Sequence, residues 1–220
     1  MAGELCKPLN PAEPGRDCPR CPRLVSFRKA NRQAEPGWFN APVPSFGPPE
    51  ARLLIVGLAP GLRGANRTGR PFTGDYAGDL LYATMKEYGF ARGTFEARAD
   101  DTLELIDARI TNGVRCVPPE NKPTPAEINT CRDFLVPTIA EMQKLRVIVA
   151  LGRIAHETTV KALGAKRAIA PFSHGGTASI GDFTLFSSYH CSRYNTNTGV
   201  LTPEMFRAVF AAVRNHLDAG

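Results

Sequence analysis

Arg52-Leu-Leu-Ile-Val-Gly-Leu-Ala-Pro-Gly61 decides the architecture. A short, unbroken apolar run stopped by glycine and proline is the pattern of a strand buried on both faces, as in a parallel sheet with helices on either side. Working outward, the same signature returns at Leu105 to Thr111, at Arg146-Val-Ile-Val-Ala-Leu151 and, more aromatic, at Phe183 to Tyr189. Helical stretches fall between these runs. Asp79 to Tyr88 ends on Gly89, where a left-handed cap belongs. Thr124-Pro-Ala-Glu127 is a capping box with proline at the first helical position, opening a helix toward Lys144 that Pro137 should kink or interrupt. Another helix follows Gly152, and Thr202-Pro203-Glu204 opens a terminal one toward Leu217. This alternation predicts an α/β three-layer sandwich with a central, mainly parallel four-stranded sheet flanked by helices.

The chain of 220 residues fits one domain, and 43% hydrophobic content suffices for a substantial core. Residues 1–50 are proline-rich with few apolar runs and read as an irregular N-terminal arm on that domain. No apolar run approaches membrane-span length and no signal peptide is evident, so no membrane partner is expected and the cytoplasm is the expected compartment. A net charge of +6 permits a polyanionic partner without specifying one.

In such folds ligands bind outside the carboxyl ends of the strands. Four polar segments lie there: Gly57-Leu-Ala-Pro-Gly61 running on to Asp75, Asn112-Gly-Val-Arg-Cys116, Gly152-Arg153, and His190-Cys-Ser-Arg-Tyr-Asn195. Arg63, Arg67 and Arg70 crowd the first of them. The glycine spacing 57, 61, 64 matches neither a dinucleotide fingerprint nor a Walker loop.

Four cysteines add a second constraint. Cys18-Pro-Arg-Cys21 is a C-x2-C knuckle, whereas Cys116 and Cys131 are separated by fourteen residues and form no second knuckle. In a cytoplasmic chain they read as metal ligands before disulfides. Four thiolates suit zinc or a cubane iron–sulfur cluster. Cys6 and Cys191 lie outside the quartet.

Taken in order, GLAPG (57–61), GRPFTGD (69–75), NGVRC (112–116) and HCS (190–192), with Cys18 and Cys21, resemble the motifs of the uracil-DNA glycosylase superfamily. The resemblance spans about residues 18–195 and is strongest to the iron–sulfur branches, family 5 (type b) in particular. It implies a monofunctional DNA repair glycosylase that flips a damaged base and hydrolyses its N-glycosidic bond. No lysine stands in the matched motifs to form a Schiff base. Uracil is the expected substrate, with other deaminated bases such as hypoxanthine beside it, in double- or single-stranded DNA. The resemblance assigns Phe72 to base stacking, Asn112 to reading the base edge, and Gly57 and Ala59 to the base-binding loop. His190 is expected to stabilise the leaving anion. Relatives of narrow specificity carry a polar side chain where this chain has Leu58-Ala59, so Asp75 becomes the candidate for orienting water. Arg63, Arg67, Arg70 and Arg193 would meet phosphates. Arg193 or Tyr194 would wedge into the duplex, although Cys191 replaces the family's proline in that loop. The cofactor implied is a structural [4Fe–4S] cluster on Cys18, Cys21, Cys116 and Cys131, with zinc the alternative, and the protein is expected to be a monomer. Two other readings compete: a narrow, uracil-only family 4 enzyme, and a non-catalytic, redox-responsive iron–sulfur DNA-binding protein.

Overall fold

A computed structural model describes residues 12–74 and 76–219. In chain order the elements are α1 (Pro22–Ala34), β1 (Leu53–Gly57), α2 (Ala65–Thr68), α3 (Tyr76–Glu87), β2 (Ala91–Arg92), β3 (Glu104–Leu105) and β4 (Ala108–Asn112). The second half adds α4 (Pro125–Glu141), β5 (Val147–Leu151), α5 (Arg153–Ala162), β6 (Thr177–Ile180), β7 (Phe183–Ser188), α6 (Arg193–Asn197) and α7 (Pro203–Asp218).

The main sheet has the order β4-β1-β5-β7-β6, with β1 paired in parallel to both β4 and β5 and β5 in parallel to β7. Strand alternation sorts its side chains into two cores. Leu53 and Ile55 of β1 enter one, with Leu81 and Met85 of α3 and Phe206 and Phe210 of α7. Leu54 and Val56 enter the other, with Leu135 of α4 and Ala155 and Val160 of α5. Helices therefore cover both faces, and the expected three-layer α/β sandwich stands.

Three details differ from expectation. The sheet has five strands, because β6 adds antiparallel to β7 through a turn at Gly181, whose φ is +58°. Its residues Thr177–Ile180 bury only Ile180, so this edge strand carries no apolar run to read. The run 105–111 is not one strand: Asp107 adopts φ +53° and its carboxylate takes the backbone N–H of Arg52 at 2.8 Å and the guanidinium Nε at 2.7 Å. The N-terminal arm, read as irregular, contains a 13-residue helix, α1, with Pro22 in its first turn.

The capping box at Thr124 forms as expected, with Glu127 accepting from the Thr124 backbone N–H at 2.7 Å. Pro137 sits inside α4 without ending it, and the helix stops at Glu141. No helix among the described residues is long and apolar enough to cross a membrane.

Candidate active site

A cavity of about 550 Å³ opens at the carboxyl ends of β1 and β4, within the ~300–1,000 Å³ usual for ligand pockets. The parallel register sets Gly57 opposite Asn112, so two strand ends meet beneath the cavity, which Asn112 lines directly and Gly57 supports from behind. Gly57 is obligatory there. A Cβ on it would collide with Asn112 Oδ1 and approach the Phe72 ring to 2.8 Å. The missing side chain lets an aromatic ring and an amide close in on the same spot.

Phe72 is held in the left-handed region, at φ +53°, a conformation that costs a non-glycine residue about 1 kcal/mol or more. Its surroundings impose this. The Phe72 carbonyl packs on the bare Cα of Gly78, and the neighbouring Pro71 carbonyl accepts from Tyr82 Oη at 2.6 Å. The ring that results lies 5.9 Å from the His190 ring at an interplanar angle of 25°. Asn112 is 3% exposed and lines the cavity, where its side-chain amide makes no hydrogen bond with a described residue.

His190 follows the end of β7, and burial lowers its pKa to about 4. At neutral pH the imidazole is therefore uncharged and offers one N–H donor to the cavity. Its loop is fixed from behind: the His190 carbonyl accepts from Asn195 Nδ2 at 2.8 Å, and Cys191 Sγ donates to the Ala77 carbonyl at 3.4 Å. The thiol of Cys191 thus ties the histidine loop to the start of α3. Ala59 lines the cavity as expected. Asp75 lies outside the described residues; its neighbours Gly74 and Tyr76 both line the cavity.

The basic residues divide. Arg63, on the loop before α2, and Arg67, in α2, are both exposed. Arg193 stands at the mouth with its guanidinium 5.8 Å from the Tyr76 ring, and Tyr194 projects at 74% exposure. Arg70 does not belong with them. It is buried, paired with the buried Asp101 at 2.6 Å, and its guanidinium lies 5.1 Å from the Phe46 ring centroid. That arginine holds the protein together from inside and presents no cation to a phosphate. Sequence reading missed the polar cavity residues Tyr76 and Asn121, and Ala77 beside the first. The first directly follows the GRPFTGD segment, and the second sits at φ +57° in a short turn after the cysteine motif.

The four quartet cysteines come together although they span 113 positions, from 18 to 131. Cys18, Cys21, Cys116 and Cys131 line one small cavity between α1, the loop after β4, and α4, and all four are free thiols. Burial pushes the Cys116 thiol up to about 11 and Cys131 up to about 12. Two N–H donors already point at sulfur: Arg115 N to Cys131 Sγ at 3.2 Å and Arg28 Nη1 to Cys116 Sγ at 3.5 Å. Among the described residues, no three His, Cys, Asp or Glu side chains form a group that could hold a metal ion.

Residues 44–214 match the family model of the uracil DNA glycosylase superfamily. The chain is 46% identical to a type-5 uracil-DNA glycosylase of Thermus thermophilus over 87% of its own length and 90% of the relative's. It is 38% identical to the type-5 uracil-DNA glycosylase of Pyrobaculum aerophilum, over 93% of its length and 90% of that protein. The type-4 uracil-DNA glycosylase of the same archaeon is 34% identical over 68% of this chain and 62% of its own length.

Proposed function

The chain belongs to the uracil DNA glycosylase superfamily, in its type-5 branch, and on that premise we propose that the cavity at the ends of β1 and β4 is where it excises a base from DNA. It is a uracil-DNA glycosylase. Its substrate is DNA containing uracil, and the bond cut joins the base to deoxyribose C1′. The observation that carries the assignment is the stacked pair of Phe72 and His190 facing an Asn112 amide with no described partner.

A base inside the duplex cannot reach this cavity, so the nucleotide must rotate out of the stack. Phe72 offers the extruded base a flat face. Asn112 supplies one donor and one acceptor, matching a pyrimidine edge. As the glycosidic bond lengthens, the electron pair stays with the base and positive charge develops on the sugar. The neutral His190 donates an N–H to the base oxygen on which negative charge grows. Water then attacks C1′, its proton is lost, and the base leaves and is protonated, with an abasic site remaining. Asp75 takes the water-orienting role in this scheme on the strength of its motif. In the same scheme the exposed Arg63 and Arg67, with Arg193, meet phosphates, and the exposed Tyr194 fills the gap in the stack.

We extend the substrate range to hypoxanthine and other deaminated bases. Small residues at 59 and 61 and the volume of the cavity leave room for a purine. A [4Fe–4S] cluster is the group assigned to the four cysteines. In its favour, the four thiols share one cavity, and two of them are met by N–H donors. When bound, the cluster would cross-link α1, the loop after β4, and α4.

Uracil-bearing duplex, incubated with anaerobically prepared protein and then treated with alkali, should be cut at the uracil. His190→Ala should lower single-turnover excision on the order of 10²- to 10³-fold while leaving DNA binding intact. A hypoxanthine substrate should be cut by the same sample, which should contain iron and acid-labile sulfide. Binding without excision of any deaminated base would overturn the catalytic assignment in favour of a DNA-binding protein. Excision of uracil alone would remove the broader range, and zinc without iron would remove the cluster.

A further inference from the structure

A second groove of about 410 Å³ borders the excision cavity, and apart from His190 the excision chemistry uses none of its lining residues. The two hollows share Leu58 and His190, so a single wall separates them. The first lies over the ends of β1 and β4, and the second over β1, β5 and β7.

The second groove is built for a flat, weakly polar ligand. Phe172 and Tyr189 both line it, their ring centroids 6.0 Å apart and their planes inclined at 51°. Tyr189 is fixed from behind by His174, whose ring stacks on it at 5.0 Å and 15° and whose Nδ1 accepts the Tyr189 backbone N–H at 3.1 Å. The Arg153 guanidinium lies 5.0 Å from the Phe172 ring centroid. Ile154 contributes an apolar side chain that is 45% exposed. Aromatic faces beside an arginine, at the edge of a basic site, are the combination that stacks unpaired bases in single-stranded nucleic-acid channels.

We propose that this groove binds the base of the nucleotide adjoining the flipped one on the damaged strand, drawing it out of the duplex stack against Phe172 and Tyr189. The proposal rests on the glycosylase reading and adds a second nucleobase subsite to it. It predicts a preference for DNA in which the neighbour unstacks readily, single strands and mismatched flanks above all.

The test uses the full-length protein and uracil substrates in which the base 5′ or 3′ of the uracil is replaced, one at a time, by a stable abasic residue. For the wild type, omission on one side should weaken binding on the order of fivefold to tenfold, read as KM, with omission on the other side having little effect. In Phe172→Ala the sensitivity to that omission should vanish, because the stacking partner is gone. Phe172 also packs on His156, so Ile154→Asp, an exposed change in the same groove, provides a second variant that should likewise blunt the sensitivity. Equal KM values with and without either neighbour would overturn the subsite while leaving excision intact. Sensitivity retained in both variants would overturn it too. Loss of excision on every substrate, wild type included, would instead strike the glycosylase reading beneath it.

Discussion

At the scale of single residues, the arginines show what charge counting can and cannot say. Four were expected at the phosphates, yet Arg70 lies inside against Asp101, which its guanidinium and two backbone N–H groups hold near pKa 2. The pairing joins positions 31 residues apart, and no local pattern announces it. The two kinds of arginine should fail differently. Arg70→Ala strands a buried carboxylate and should cost about 3–5 kcal/mol of stability in urea unfolding. Arg63→Ala and Arg67→Ala should leave the midpoint nearly unchanged, and each should lower the salt dependence of DNA binding by about one counterion. An unaltered urea midpoint for Arg70→Ala would contradict the interior role. His190, Phe72 and Asn112 were legible for the opposite reason. Strand-end topology marked the segments that carry them, and the family resemblance supplied the role of each residue.

At the scale of elements, the site depends on one pairing register. β1 and β4 end side by side at Gly57 and Asn112, and the empty Cα of Gly57 is where the Phe72 ring and the Asn112 amide approach. Gly57→Ala should therefore leave the sheet intact, with unchanged far-ultraviolet circular dichroism, and displace ring or amide by some tenths of an ångström. Misplacement near reacting groups lowers rates steeply, so kcat/KM should fall about 10- to 100-fold. Near wild-type kinetics would show that the approach does not matter. Buried strands such as β1 and β5 were readable because helices cover both faces and force continuous apolar runs. The edge strand β6 was not, since three of its four side chains remain at least partly exposed. The run 105–111 misled for a different cause: its residues are apolar enough for one strand, but Asp107 spends a left-handed turn on capturing Arg52.

At the scale of the molecule, the question is what holds α1 to the rest. Of its apolar side chains only Leu24 is buried, contributing about 2 kcal/mol, which is small against the conformational entropy of ordering 13 residues. Polar latches add to it. Arg23 makes two hydrogen bonds to Glu127 of α4, at 2.8 and 2.7 Å, and Arg28 reaches both the Cys18 carbonyl and Cys116 Sγ. Arg23 is partly exposed, so salt and water weaken its contribution. The main sheet, by contrast, packs helices on both faces and shares few side chains with the cysteine cavity. A cross-link through the four thiols would therefore matter to α1 far more than to the sheet. With the proposed cluster in place, removing its iron by chelation under reducing conditions, or replacing Cys131 by serine, should release amide protection across residues 22–34 while β1, β4 and β5 stay protected. Hydrogen exchange read by mass spectrometry resolves the two regions. If α1 kept its protection without iron, the arginine latches would be holding it unaided. If the strands lost theirs as well, the cluster would be a condition of the whole fold, which the size of the two sheet cores argues against.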